Sequence, residues 1–273
     1  MRTRAAEYEV GAEVRRIREL NRGFITNFYA APEQLRDWAS QGVLSLARRM
    51  YATLLFRRDR HFEHLYHVAA SRADLAEALA SLEPIPGLPI VTDLVGRPED
   101  VAPVSEIHSE NGFENYVDLV RMVRPGGTLP DSNPEASTDY ALLRDIPAIV
   151  AFLDRQLDPF RDQIPETDEI ESAIARRSIL IDRSDGVPRG LLLFEDTGRT
   201  SAIRYWYVDS ECYGGGVGGR LMRTYLREHP STARFLLWVD GTNADAIAKY
   251  EHYGFRREKL IDQIMIRIGE STR

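Results

Sequence analysis

The stretch Tyr205–Met222, Y-W-Y-V-D-S-E-C-Y-G-G-G-V-G-G-R-L-M, changes character twice along its length. Its opening residues are aromatic or β-branched and favour a strand. Leu221, Met222, Tyr225 and Leu226, at and just past its far end, recur at the spacing of one helix face. Between them, glycines at 214, 215, 216, 218 and 219 let successive backbone amides turn toward one point without obstruction from Cβ atoms. A strand, a glycine nest and a helix N-terminus in that order suit an anion the size of a pyrophosphate, because free amides and the helix dipole both favour negative charge. A flexible surface loop is the plainer reading of the same glycines, and context decides between the two.

The chain has 273 residues, enough for one large domain or two of modest size. Lysine and arginine total 35 against 42 acidic residues, a formal charge of -7, so the overall balance gives no reason to expect a nucleic-acid partner. Cys212 is the only cysteine, which excludes an intrachain disulfide and a cysteine-based metal cluster. As a nucleophile Cys212 lacks a histidine close in sequence to activate it. No metal is expected either: His61, His64 and His67 would align only on a helix, whereas residues 62 to 68 read as a strand. The N-terminal residues have no apolar signal-like core, and no stretch approaches about 18 uninterrupted apolar residues, so a cytoplasmic protein with no membrane association is expected.

Residues 138 to 268 read as α-α-β-β-β-nest-α-β-α-β. The pattern predicts helices along Leu142 to Leu157, with Pro147 as a kink, and along Pro165 to Ala175. Strands follow at 178–182 and 189–194, then the strand entering the nest, a strand at 235–239, a helix from Ala244 to Tyr253 stopped by Gly254, and a last strand at 260–268. The first half predicts a similar order. Pro32 opens a helix ended by Gly42, three short strands lie at 43–46, 51–56 and 62–68, Ser71 and Asp74 start a helix, and a strand at 88–94 and a helix at 98–109 follow. Residues 124 to 139 concentrate glycine, proline and small polar residues, as a linker does. The domains read from this are 1–125, a linker at 126–137, and 138–273.

The order of the second half, and the residues in it, resemble the GCN5-related N-acetyltransferase (GNAT) superfamily. Tyr213, Gly214, Gly216 and Gly218 take the places of that family's Arg/Gln-x-x-Gly-x-Gly loop, and Asn243, Ala246, Ile247, Tyr250, Gly254 and Phe255 resemble its N-x-x-A-x-x-x-Y-x-x-x-G-F segment. The resemblance covers about 138–268 and implies an α/β (α+β) fold, a mixed central sheet with a splayed fourth strand, in two tandem domains. It also implies acetyl-CoA, or another acyl-CoA, as cosubstrate. Tyr213 departs from the family's arginine or glutamine, and Ser210 and Cys212 from a common proline and a common aromatic or histidine. The Gly-Phe pair at 112–113 recurs at 254–255, but A-A-S-R follows Val68 where the nest would stand. The first half is therefore a degenerate GNAT-like copy or an unrelated α+β domain.

By the same resemblance, the cofactor-binding residues are Val208, Tyr213, Gly214, Gly215, Gly216, Val217, Gly218, Gly219 and Asn243. Val208 at the end of the splayed strand supplies a backbone amide to the acyl carbonyl, and Tyr250 protonates the departing thiolate. Helical spacing alone favours Tyr250 as a core aromatic, and the signature around it reverses that preference. Glu211 is a candidate general base beside a plainer reading as a solvated loop carboxylate. Strict alternation puts Tyr205 and Tyr207 on one face of their strand, to orient a substrate or to pack, and Arg204 and Trp206 on the other. The expected reaction is direct transfer of an acetyl group to a primary amine of a small molecule or peptide, by a monomer or homodimer. The alternative is a coenzyme A-binding or regulatory module that catalyses nothing.

Overall fold

The computed structural model describes residues 2–83, 85–127, 138–184 and 187–269. Contacts divide the chain into two units, Met1–Leu119 with Lys259–Arg273, and Val120–Glu258. Of the expected linker at 126–137, residues 128–137 lie outside those described. The division falls elsewhere than the composition suggested: Lys259–Arg273 belong with the first unit, and the end of the strand Glu114–Pro125 belongs with the second. Partner choice for a strand depends on residues far along the chain, which local composition does not report.

The first unit contains β1 (Thr3–Arg4), α1 (Glu7–Glu19), β2 (Ile25–Thr26), α2 (Pro32–Gln41), β3 (Leu44–Arg48), β4 (Ala52–Arg58), β5 (Glu63–Ala69), α3 (Arg72–Ala80), β6 (Ile90–Gly96), α4 (Pro98–Glu110) and the start of β7 (Glu114–Pro125). Its strand order is β1-β3-β4-β5-β6, continued by residues Ile261 to Arg267 of β13 (Arg256–Arg267), which pair antiparallel to β6. The second unit contains β8 (Asp139–Tyr140), α5 (Ile146–Gln156), α6 (Thr167–Ala175), β9 (Ile179–Ser184), β10 (Val187–Thr197), β11 (Thr200–Val208), α7 (Val217–Glu228), β12 (Arg234–Asp240) and α8 (Ala244–His252). Its order is β7-β12-β11-β10-β9-β8. Pro147 does not kink α5: it sits in the first turn, where its missing N–H costs nothing.

Each unit repeats one plan. An antiparallel run of three strands ends in a strand that pairs parallel with the next one after a helical crossover. In both units that parallel pairing is brief, Glu63↔Ile90 and His64↔Val91 in the first, Thr200↔Arg234 to Ile203↔Leu237 in the second. The helix after the parallel pair also ends alike. Gly112 and Gly254 have φ of 81° and 85°, and the following Phe113 and Phe255 amides donate to His108 O and Tyr250 O, both at 3.1 Å. Both phenylalanines are buried, closing the helix end with an apolar plug. His108 therefore occupies in the first unit the position of Tyr250 in the second.

The helix α7 carries the face anticipated for it. Val217, Leu221, Met222, Tyr225 and Leu226 are buried against Leu192, Phe194, Ile203, Phe235 and Leu237, and the Tyr225 hydroxyl donates to Ser201 Oγ at 2.6 Å. A second core on the other side of the same strands joins Ile149, Phe152, Leu153, Ile170 and Ile174 to Ile181, Leu191, Leu193 and Tyr205.

Candidate active site

Strand β11 reaches the site through a bulge. Its register against β10 runs Leu193↔Tyr205 and then Phe194↔Ile203, leaving Arg204 as the extra residue. A bulge bends a strand and increases its twist. The parallel pairing with β12 stops at Ile203, immediately before the bulge, so residues 204–208 part from β12 and open a gap. The bulge also changes the faces. Ile203, Trp206 and Val208 pack on the α7 side, whereas Tyr205 and Tyr207 pack on the α5–α6 side. Contrary to the expectation from strict alternation, Arg204 does not share a face with Trp206; its guanidinium bonds to Tyr205 Oη at 3.1 Å and Gln163 O at 3.4 Å.

Val208 presents its amide to the gap. The Asp209 amide donates to Arg189 O at 2.8 Å, which makes Gly190↔Val208 a pair without mutual hydrogen bonds. In such a pair the residue's own N–H and C=O point away from the partner strand, here away from β10 and toward the gap.

The chain then turns through Ser210–Cys212, a short 3₁₀ segment, into the nest. Gly214 and Gly216 have φ of 83° and 74°. Gly216 is the residue before α7, where a side chain would be strained. The amides of Val217, Gly218 and Gly219, in the first helical turn, have no intrahelical acceptor, and Gly216 has no side chain to cap them. Gly215 shapes the loop: its amide donates to Cys212 O at 3.1 Å and its carbonyl accepts from Arg220 Nη1 at 2.9 Å. A Cβ on Gly218 would come within 3.2 Å of Val208 and 3.3 Å of Trp206, and one on Gly219 within 3.2 Å of the Tyr253 hydroxyl. Tyr213 is 70% exposed. A cleft of about 350 Å³ beside the nest is lined by residues including Arg189, Glu211, Cys212, Tyr213, Gly215 and Arg220.

Tyr250 lies on α8, half-buried, 5.3 Å from Trp206 and 5.9 Å from Phe255 between ring centres. Among the described residues its hydroxyl has no hydrogen-bond partner. Burial, reinforced by Tyr207 and Asp162, holds the phenol well above its ordinary pKa, so it keeps its proton. Trp206 donates to Gly218 O at 3.2 Å, linking the splayed strand to the nest. Glu211 lies on the cleft rim with its side chain 81% exposed, 3.8 Å from Arg189 Nη1. Asn243 caps α8, its Oδ1 accepting from the Ala246 amide at 3.0 Å.

Tyr205 and Tyr207 belong mainly to packing. The Tyr205 hydroxyl donates to Asp162 O at 2.6 Å, fastening the α5–α6 connection to the strand. Burial pushes both phenols up to about 12. Sequence reading missed Gly190. A Cβ there would stand 2.7 Å from Val217 Cγ1, 3.0 Å from Tyr207 O and 3.1 Å from Leu221 Cδ1, so Gly190 sets how closely the start of α7 approaches the sheet. It also missed Asp182, whose buried carboxylate accepts from Arg220 Nε at 2.7 Å and Nη2 at 3.1 Å. The signal for Gly190 was present as a lone glycine inside a strand pattern.

Among the described residues no group of three or more His, Cys, Asp or Glu is placed to hold a metal ion, and no helix is long and apolar enough to cross a membrane. Residues 147–255 match the Acetyltransferase (GNAT) family model. A segment of 53 residues is 42% identical to Mycothiol acetyltransferase of Salinispora arenicola (strain CNS-205), covering 18% of this chain and 17% of that relative's length. Three solved structures share the fold along nearly the whole chain. A Drosophila protein has a TM-score of 0.62 at 15% identity, covering 99% of both chains. A GCN5-related N-acetyltransferase from Sphaerobacter thermophilus has a TM-score of 0.59 at 12% identity, covering 100% of this chain and 98% of its own. A tandem GNAT protein from the clavulanic acid biosynthesis pathway has a TM-score of 0.56 at 12% identity, covering 97% of each. The splayed strand and the glycine nest both lie within residues 147–255, so the segment that matches the GNAT acetyltransferase family is the one that carries the candidate site of this two-domain chain.

Proposed function

We propose that the second unit transfers an acetyl group from acetyl-CoA directly to a primary amine of a small molecule or peptide. The observation that carries this reading is the Val208 amide facing the gap, on a strand end that packs against the first turn of α7 through Val208 and against Tyr250 through Trp206. The nest and the first-turn amides of α7 hold the pyrophosphate, with Tyr213, Gly214, Gly215 and Gly216 shaping the loop and Val217, Gly218 and Gly219 donating. Asn243 contributes by fixing the start of α8. The thioester supplies an activated acyl carbon and a thiolate leaving group. Val208 N–H donates to the acyl oxygen as negative charge develops on it, and the Tyr250 hydroxyl gives its proton to the leaving sulfur. The incoming amine gives its proton to water, since Glu211 lies on the rim of the cleft beside Arg189 and away from the reacting carbonyl in this reading.

The first unit is a degenerate copy in this reading, and its own chain fills the corresponding gap. Asn27 Oδ1 accepts from the gap-facing amide of His67 at 2.6 Å, and its Nδ2 donates to Thr92 Oγ1 and Asp93 O, both at 3.0 Å. The segment Ile25–Thr26 pairs with the end of β5. Ser71 caps α3, taking up the Asp74 amide that an anion would need.

The test is incubation with acetyl-CoA and a library of primary amines, following thiol release. Tyr250→Phe should lower turnover about tenfold to a hundredfold while coenzyme A affinity stays near wild type. Absence of acyl-CoA binding by calorimetry would refute the reading, and binding without turnover on any amine would leave a coenzyme A-binding module.

A further inference from the structure

Three arginines line the cleft beside the nest, Arg183, Arg189 and Arg220. Two are committed to carboxylates. Arg220 makes a two-point contact with Asp182, whose side chain is 6% exposed. Arg183 bonds to Asp145 at 2.5 Å and to Asp139 at 3.3 Å. Arg189 differs from both. Its Nε is buried and has no hydrogen-bond partner among the described residues, and the carboxylate paired with it is the exposed Glu211 at 3.8 Å. Such a long contact to a solvated glutamate neutralises little of its charge.

The backbone explains why Arg189 faces the cleft. Along β9 and β10 the register runs Pro188↔Arg183 and then Gly190↔Asp182, so Arg189 is the extra residue of a second bulge. Bulges re-aim side chains that regular pleating would send elsewhere. The buried, unpartnered guanidinium nitrogen costs free energy unless something completes it. Across the cleft Tyr213 adds no cation, and the first-turn amides of α7 offer donors but only partial charge.

We propose that Arg189 is the side chain that binds the phosphate charge of the acyl-CoA, with Glu211 as the counter-ion it leaves when the ligand arrives. This assignment rests on the acyl-CoA reading of the second unit. The cation comes from the neighbouring strand, not from the first position of the loop, which Tyr213 occupies. Arginine suits the task because its planar fork can give parallel hydrogen bonds to phosphate oxygens.

The experiment is calorimetric titration of coenzyme A into wild type, Arg189→Gln, Arg189→Lys and Glu211→Gln over a range of salt concentrations, with melting curves confirming that each variant is folded. Wild type should bind. R189Q should bind about tenfold to a hundredfold more weakly and with a shallower salt dependence, the range expected for a lost charge-assisted hydrogen bond. R189K should recover part of the affinity, and E211Q should bind more tightly than wild type. If wild type does not bind coenzyme A, the acyl-CoA reading itself fails. If wild type binds but R189Q stays within about twofold of it, Arg189 has no such role. Loss of affinity in R189Q with an unchanged salt dependence would equally overturn the proposal, because it would mark a structural effect of the substitution.

Discussion

Replacing Gly190 by alanine tests the link between strand packing and the nest. The added methyl would stand 2.7 Å from Val217 Cγ1, 3.0 Å from Tyr207 O and 3.1 Å from Leu221 Cδ1. Comfortable carbon contacts lie at about 3.5–4.0 Å, so the start of α7 must retreat by about 1 Å. The Tyr207 carbonyl belongs to β11 and gives little, so the helix is the element that moves. Overpacking of this kind costs about 1–3 kcal/mol. Because the displaced turn carries Val217, Gly218 and Gly219, coenzyme A affinity should fall about tenfold beyond the loss of stability. Urea denaturation measures the first effect and calorimetry the second. The control is Gly198→Ala. Gly198 has φ of 60° with nothing within 4 Å of an added methyl, so that variant carries only backbone strain, about 1 kcal/mol, and should leave affinity unchanged. If G190A is as stable as wild type, or is destabilised with an unaltered affinity, the account of how the nest is positioned is wrong.

Three other outcomes follow from the same structure. Asn27→Ala leaves the His67 amide without its acceptor and should cost the first unit about 2 kcal/mol in urea, with coenzyme A still binding at one site per chain; an unchanged midpoint would refute the importance of that plug. Arg220→Met strands the buried Asp182 and should cost about 2–4 kcal/mol, part of which Asp182→Asn restores in the double variant; additive losses would show that the two do not act as a pair. Burial pushes His108 down to about 4, against the hydrogen bond its Nδ1 donates to the Val104 carbonyl, which raises it. The unfolded chain takes up this proton near pH 6.5 and the folded chain only near pH 4, so stability is lost as pH falls through that window, by about 3 kcal/mol in all. His108→Phe should flatten that slope by as much as one proton. Asp262, whose pKa burial and the Asp93 charge raise well above the ordinary carboxylate value of 3.8, acts in the opposite direction as pH rises above that value, and it is common to both proteins. An identical slope with and without His108 would refute the assignment.

The sequence by itself determined the local elements of the second unit. The apolar spacing of Leu221, Met222, Tyr225 and Leu226 defined a helix face that is buried, and the glycines before it marked its start. The Gly-Phe pairs likewise marked two helix ends that close in the same way. These features were legible because residues a few positions apart create them, through side-chain periodicity and through backbone conformations open mainly to glycine. Tertiary structure alone decided where the strands part. Alternation counted through Arg204 misassigned its face, since a bulge shifts the count by one and carries no residue signature here. Gly190, Asp182 and Arg189 gained their places only when β9, β10 and α7 came together. Residues 120–125 and 261–267 likewise joined the units they did on the strength of ladders formed with distant strands. Hydrogen-bond pairing across long sequence separations selects among strands that look locally alike, and so the chain announced an anion nest, whereas folding chose the residues that surround it.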